Sequence, residues 1–128
     1  MAVLCCSTGL VSFLESCVNT RYINASETSD KLFFSKSELS KDKFVLVKSK
    51  KADAPIYLIQ TDENKYSAFL MICTHKECEV KPTGNFITCP CHGSEFSNAG
   101  KVLKGPADKD LFQYQVTTDE TNIYIHLK

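Results

Sequence analysis

The chain has 128 residues, 43% apolar and 23% charged, which fits one globular domain and not a disordered or multi-span membrane chain. Fifteen basic and fifteen acidic side chains cancel to a formal charge of zero, which argues against nucleic acid as a partner because phosphate binding needs a basic excess. The seven cysteines are the anomaly: three lie in the first seventeen residues and four lie between Cys73 and Cys91.

Met1 to Val18 reads MAVLCCSTGLVSFLESCV, with Glu15 its only charge. The apolar stretch before Glu15 is short for a membrane span but suits a signal h-region. It ends in Leu14-Glu15-Ser16-Cys17, which resembles a bacterial lipobox, where the cysteine is lipidated and becomes N-terminal. Glu15 departs from that pattern. The usual basic n-region is also missing, so the true start is expected upstream of Met1. The expectation is a signal-like segment over 1–17, with Cys17 lipidated and tethering the rest to a membrane surface. The alternatives are a short buried helix with ordinary core cysteines and a plain uncleaved anchor.

Residues 18–30 are polar, without a clear period, and read as a linker. From 31 to 128 the signals are short and β-like. Leu32-Phe33-Phe34, Phe44 to Val47, Ile56 to Ile59 and Tyr66 to Ile72 are strand candidates rich in aromatic and β-branched residues. Ser35 to Leu39 reads as one helical turn, with Ser35 as N-cap and Glu38 closing a capping box. Lys81 to Asn85 is turn chemistry before a strand at Phe86-Ile87-Thr88. Phe112, Tyr114 and Val116 alternate with polar residues, Asp119 to Asn122 turns, and Ile123, Ile125 and Leu127 alternate again. No long period-3.6 segment occurs, so a nearly all-β fold is expected. Tyr57, Tyr66 and Phe69 read as core or half-core aromatics, and His126 as a surface histidine.

The chemistry concentrates in Cys73-Thr74-His75-Lys76-Glu77-Cys78 and, ten residues on, Cys89-Pro90-Cys91-His92-Gly93-Ser94. Each segment follows an apolar strand, so each is placed on a loop, and each pairs one cysteine with a nearby histidine. Two such loops can close on a metal centre from opposite sides. Tetrahedral zinc is one reading of two cysteines and two histidines, but zinc fingers usually pair like with like, and two cysteines would be left unexplained.

The pattern C-x-H-x-x-C with C-x-C-H-G-S closely resembles the Rieske iron–sulfur family, and every position of both motifs is matched. Phe96, Gly100, Val102 and Gly105-Pro106-Ala107 continue the likeness. The resemblance is strong from about Phe69 to Val116 and looser from Lys31 to Ala68. It implies a small antiparallel β-sandwich with a cluster-binding subdomain of two loops, and a [2Fe–2S] cluster as cofactor. Cys73 and Cys89 would bind one iron, His75 and His92 the other, and Cys78 and Cys91 would form a disulfide between the loops. Ser94 would donate to a cluster sulfide, and Pro106 would shield the cluster. Four cysteines are then used, with no free thiol left in the domain.

Two ferric ions, two sulfides and two thiolates sum to a neutral core, whereas four thiolates would leave two negative charges. The neutral core accepts an electron more readily, which places the family at roughly −150 to +300 mV. The outer histidine nitrogens can release protons as the cluster is oxidised. High-potential members carry a tyrosine where Phe96 stands, so one donor to a sulfur ligand is missing and a mid-range potential is expected. Lys76 and Glu77 replace the apolar residue and glycine usual at the tip of quinol-oxidising members. Glu77 in place of glycine implies that the loop needs no positive φ there.

The expected function is one-electron transfer by a membrane-tethered carrier or respiratory subunit with no turnover of its own. Its partner would be a cytochrome or oxidoreductase. The alternatives are the Rieske subunit of a quinol-oxidising cytochrome bc-type complex and the ferredoxin component of a dioxygenase system, although such ferredoxins usually lack the extra cysteine pair. A disulfide persists in oxidising compartments, so the expected location is the bacterial cell envelope, membrane-anchored on the periplasmic side.

Overall fold

Three adjacent strands that are apolar on both faces set the architecture. The structure is a computed structural model that describes residues 20–39 and 42–128. Its strands are β1 (Tyr22–Asn24), β2 (Ser26–Glu27), β3 (Lys31–Ser35), β4 (Phe44–Lys48), β5 (Ile56–Asp62), β6 (Lys65–Leu70), β7 (Lys81–Pro82), β8 (Phe86–Thr88), β9 (Glu95–Ser97), β10 (Val102–Lys104), β11 (Gln113–Thr118) and β12 (Asn122–His126). Val45, Val47, Ile56, Leu58 and Ala68 of β4, β5 and β6 pack on one side against Leu32, Phe34, Ile123 and Ile125 of β3 and β12. Leu46, Tyr57 and Phe69 point the other way, into a second core with Met71, Val80, Ile87 and Phe96. Burial on both faces is why these strands read as unbroken apolar runs.

The strands form one eight-stranded sheet, ordered β1-β4-β5-β6-β11-β12-β3-β2, and one four-stranded sheet, β10-β9-β8-β7. The larger sheet folds over itself at β11. Gln113 and Tyr114 pair with β6, whereas Gln115 to Thr118 pair with β12. The two halves face each other across the first core, giving the expected all-β sandwich. The pairing is antiparallel except between β1 and β4, which run parallel.

The smaller sheet is an insertion between two neighbouring strands of the larger one. β6 and β11 are hydrogen-bonded partners, yet the chain leaves after Leu70 and returns at Phe112. The Leu70 N–H donates to the Phe112 carbonyl at 2.9 Å, closing the neck of this insertion. The Met71 N–H donates to Pro55 at 3.0 Å and steers the chain out of β6. The apolar run expected to extend to Ile72 therefore ends as a strand at Leu70, and Ile72 makes only an isolated bridge to Glu79.

Several local expectations differ from the structure. The polar stretch read as linker contains β1 and β2. Ile23 is buried between exposed Tyr22 and Asn24, and one inward residue is too few to give a period. The turn after β3 is a 3-10 helix at Lys36–Leu39. Ser35 Oγ accepts the Ser37 N–H at 3.3 Å, but Glu38 does not close a capping box. Its carboxylate instead meets Arg21 Nη1 at 3.3 Å, and Arg21 also holds Asp42 at 2.8 Å. The C-terminal hairpin forms as the alternation predicts, with Asp119 Oδ1 accepting the N–H groups of Thr121 and Asn122. Phe112, expected to open the alternating strand, lies just before β11 and is exposed. His126 is half-buried and shares a 2.7 Å hydrogen bond with Thr117. Cys5, Cys6 and Cys17, with the expected lipidation, lie outside the described residues. No helix among the described residues is long and apolar enough to cross a membrane.

Candidate metal centre

The inserted sheet presents two loops, 73–78 and 89–94, with the same backbone design. In the first, the Cys73 N–H donates to the Cys78 carbonyl at 2.7 Å and the Glu77 N–H donates to the Cys73 carbonyl at 2.9 Å. In the second, the Cys89 N–H donates to Ser94 at 2.8 Å and the Gly93 N–H to Cys89 at 3.0 Å. Glu77 and Gly93 hold equivalent places, and both have positive φ, 59° and 79°. The expectation that Glu77 marks a loop without positive φ is therefore wrong. Two tight backbone bonds impose the left-handed turn there, and the glutamate bears the strain that Gly93 avoids.

This design points one cysteine of each loop inward and one histidine outward. Cys73 and Cys89 are free thiols, buried to 1% and 2% exposure in the second core. His75 is half-buried and His92 exposed, with ring centroids 5.0 Å apart and planes at 89°. Cys78 and Cys91 are joined by a disulfide that pins the two loops together. The four residues expected from the sequence to bind metal thus lie on facing loops, sulfur toward the core and imidazole toward solvent.

His75 Nδ1 tests whether these residues fit a metal centre. It is buried and has no hydrogen-bond partner among the described residues. A buried ring nitrogen without a partner is costly, and a metal ion would satisfy it. A single tetrahedral ion does not fit equally well. Among the described residues, the one place where three metal-type donors lie within 4.8 Å of one another is Cys78, Cys89 and Cys91, and two of those sulfurs are already bonded together. Cys73, His75, Cys89 and His92 do not converge on one point, which suits a centre wider than one ion.

The segment 105–110, which contains the cis Gly105–Pro106 bond, lies against both loops. The Ala107 N–H donates to Ser94 Oγ at 2.9 Å, and Ser94 is wholly buried. Ser94 keeps its own hydroxyl proton free to donate. On the other loop, Thr74 Oγ1 donates to the Lys109 carbonyl at 2.6 Å. Asp110 closes the segment by accepting the Val102 N–H at 3.0 Å and Lys101 Nζ at 3.0 Å. The Val102 N–H, followed by Lys101, holds its carboxyl below the usual range. Pro106 itself is exposed. Sequence reasoning missed Thr74 and Asp110. Both act on backbone groups distant in the chain, so no residue-type pattern points to them. Lys76 and Glu77 are exposed and make no ion pair among the described residues.

Comparison with known proteins agrees with this geometry. The family model described as the Rieske [2Fe-2S] domain matches residues 31–115. The chain is 37% identical over 84 residues to the cytochrome b6-f complex iron-sulfur subunit of Synechococcus sp. (strain CC9605), covering 62% of this chain and 47% of that one. The same subunit of Prochlorococcus marinus subsp. pastoris is 38% identical over 84 residues, with the same coverage. The chain spans about half the length of the curated relatives it matches.

The crystal structure of the cyanobacterial plasma membrane Rieske protein PetC3 from Synechocystis PCC 6803 is similar at a TM-score of 0.58 and 33% identity, over 71% of this chain and 93% of that one. A hyperthermophilic respiratory Complex III chain shares the fold at a TM-score of 0.57 and 20% identity, over 71% of each chain. The family's cofactor is a [2Fe–2S] cluster, whose two irons account for donors that do not meet at a point. With two-thirds of its length matched and both loops in place, the chain belongs to the Rieske [2Fe-2S] domain family.

Proposed function

We propose that this chain is a one-electron carrier in which Cys73 and Cys89 hold one iron of a [2Fe–2S] cluster and His75 and His92 hold the other. The observation that carries this reading is the buried His75 Nδ1, without a hydrogen-bond partner among the described residues, on a loop that also carries the buried Cys73 thiol. When bound, such a cluster supplies a single-electron couple of moderate potential.

The residues divide the remaining work. The core around Cys73 and Cys89 keeps water from the sulfur side. His75 and His92 form the solvent-facing side, where a docked partner would come nearest to the site. Ser94 would offer its free hydroxyl proton to a bound cluster. The segment 105–110, held by Thr74 and Ser94, covers the flank with Pro106. Charged Lys76 and Glu77 at the tip suit a polar protein partner, a cytochrome or oxidoreductase. The tether would be the N-terminal segment lipidated at Cys17, on the periplasmic side of a bacterial envelope, where the Cys78–Cys91 disulfide persists. EPR of the dithionite-reduced protein tests the ligand set. An average g value at the Rieske position supports it, and a silent spectrum with stoichiometric zinc overturns it.

A second reading is favoured by the curated relatives, which are subunits of cytochrome b6-f complexes. In it, the outer nitrogen of His75 or His92 accepts a hydrogen bond from a quinol. Quinol-dependent reduction and co-purification with a cytochrome b would select this reading over the first.

A further inference from the structure

The disulfide and one of the proposed iron ligands form a single sulfur cluster. The Sγ atoms of Cys78, Cys89 and Cys91 all lie within 4.8 Å of one another. Cys89 is a free thiol, while Cys78 and Cys91 are bonded together. A thiol held this close to a disulfide needs only a small local shift to bring the exchanging sulfurs into contact. Cys73, the other free thiol, is not a member of the trio.

We propose that in the iron-free chain Cys89 exchanges with the Cys78–Cys91 disulfide, giving a Cys78–Cys89 linkage that blocks cluster loading. The Cys89 thiolate attacks Cys78 Sγ. The Cys78–Cys89 bond forms as the Cys78–Cys91 bond breaks, and the proton released by Cys89 ends on the departing Cys91 sulfur. No electron leaves the chain, so no outside oxidant or reductant is needed. Attack on Cys78 is favoured over attack on Cys91 for two reasons. Cys91 is exposed, so water stabilises it as the leaving group, whereas Cys78 is half-buried. A Cys89–Cys91 bond would also close a small ring around Pro90, whose φ is fixed.

The consequence for loading rests on the proposed function, in which Cys89 binds iron. A bound Cys89 cannot attack, so occupancy and disulfide identity are coupled. The exchange itself stands on the sulfur distances alone.

The experiment uses the full chain with Cys5, Cys6 and Cys17 replaced by serine, so that only the four site cysteines can react. Iron-free and iron-loaded samples are held anaerobically, quenched in acid, alkylated with N-ethylmaleimide and mapped as non-reduced peptides. The iron-free chain is expected to lose the label at Cys89 and gain it at Cys91, with the total number of labelled thiols unchanged. The exchanged form should reach on the order of one tenth of the chain or more, the outcome when the two linkages differ by less than about tenfold in stability. The loaded chain should show only Cys78–Cys91. Cys89→Ser should freeze that linkage, and Cys73→Ser should leave the exchange intact.

Unchanged labelling of Cys89 in the iron-free chain overturns the proposal, even where the loaded sample gives the Rieske EPR signal. Scrambling that draws in Cys73 as much as Cys89 also overturns it, because that pattern reports an unfolded chain. Exchange in a chain that gives no such EPR signal supports the exchange and removes the proposed function instead.

Discussion

The Ala107 N–H reaches Ser94 Oγ across 2.9 Å, and this bond joins the proline-bearing segment to the second cysteine loop inside the core. Because Ser94 is wholly buried, Ser94→Ala leaves a buried donor unpaired. The expected cost is about 1–3 kcal/mol, read by denaturant unfolding of the iron-free chain. If the same hydroxyl donates to the cluster, the loaded variant should also show a lower reduction potential. A stability unchanged within error would remove Ser94 from this role.

Thr74 makes the matching tie on the first loop, through its 2.6 Å bond to the Lys109 carbonyl. This bond is exposed, so Thr74→Val should cost only about 0.5–1.5 kcal/mol in global stability. Its larger effect should be kinetic. With one end of segment 105–110 released, a chelator should bleach the loaded protein faster than the parent.

Three left-handed positions should answer substitution differently. Gly100 has φ of 73°, and a Cβ there would lie 2.6 Å from two ring atoms of buried Phe69. Gly100→Ala therefore combines backbone strain of about 1–2 kcal/mol with overpacking of about 1–3 kcal/mol. A Cβ at Gly93 meets nothing within 4 Å, so Gly93→Ala should cost only the strain, about 1–2 kcal/mol. Glu77→Gly relieves strain already present and should be neutral or stabilising by up to about 1 kcal/mol. Thermal melts of the three variants give this order, and a destabilised Glu77→Gly would contradict the account of the loop.

Phe96 is fully buried and offers no hydroxyl to the sulfur ligands. The reduction potential should therefore fall inside the family span of roughly −150 to +300 mV and below its upper end. Protein-film voltammetry giving about +250 mV or more would contradict this. Phe96→Tyr should raise the potential where the new hydroxyl finds a ligand sulfur.

Two groups should shape stability at the extremes of pH. The Asp119 carboxylate accepts hydrogen bonds from the Tyr124 hydroxyl at 2.6 Å and from the Asn122 and Thr121 N–H groups, which lower its pKa to about 2. A lowered folded value means a contribution present above the ordinary value near 4 and lost as pH falls through about 2. Asp119→Asn should flatten the acid limb over that window. Burial of Tyr57 raises its phenol to about 12. A raised folded value means stability that is full below about pH 10 and lost as pH climbs through about 12. Tyr57→Phe should remove that alkaline loss. It should cost little at neutral pH, because the Tyr57 hydroxyl has no hydrogen-bond partner among the described residues.

The all-β class and most strand positions are legible in the sequence because β-branched and aromatic runs mark strands buried on either face. Both loop motifs are legible because iron chemistry demands particular residue types at fixed spacing. Three features are hidden for physical reasons. β1 holds a single inward residue, Ile23. Glu38 is drawn to Arg21, seventeen residues away, instead of to its own turn. The backbone bond of Glu77 to Cys73 overrides the usual preference for glycine. In each case a contact distant in sequence or imposed by the backbone decides, and side-chain type carries no trace of it.

The bond from Leu70 to Phe112 sets the two ends of the inserted sheet side by side on neighbouring strands. The unit that begins and ends there also shares the second core with Leu46, Tyr57 and Phe69 of the platform, so only its solvent-facing tip is independent. That tip can be rewritten at exposed positions such as Lys76 without disturbing the register of the platform beneath. Descent and engineering can thus change what meets that tip separately from what keeps the protein folded.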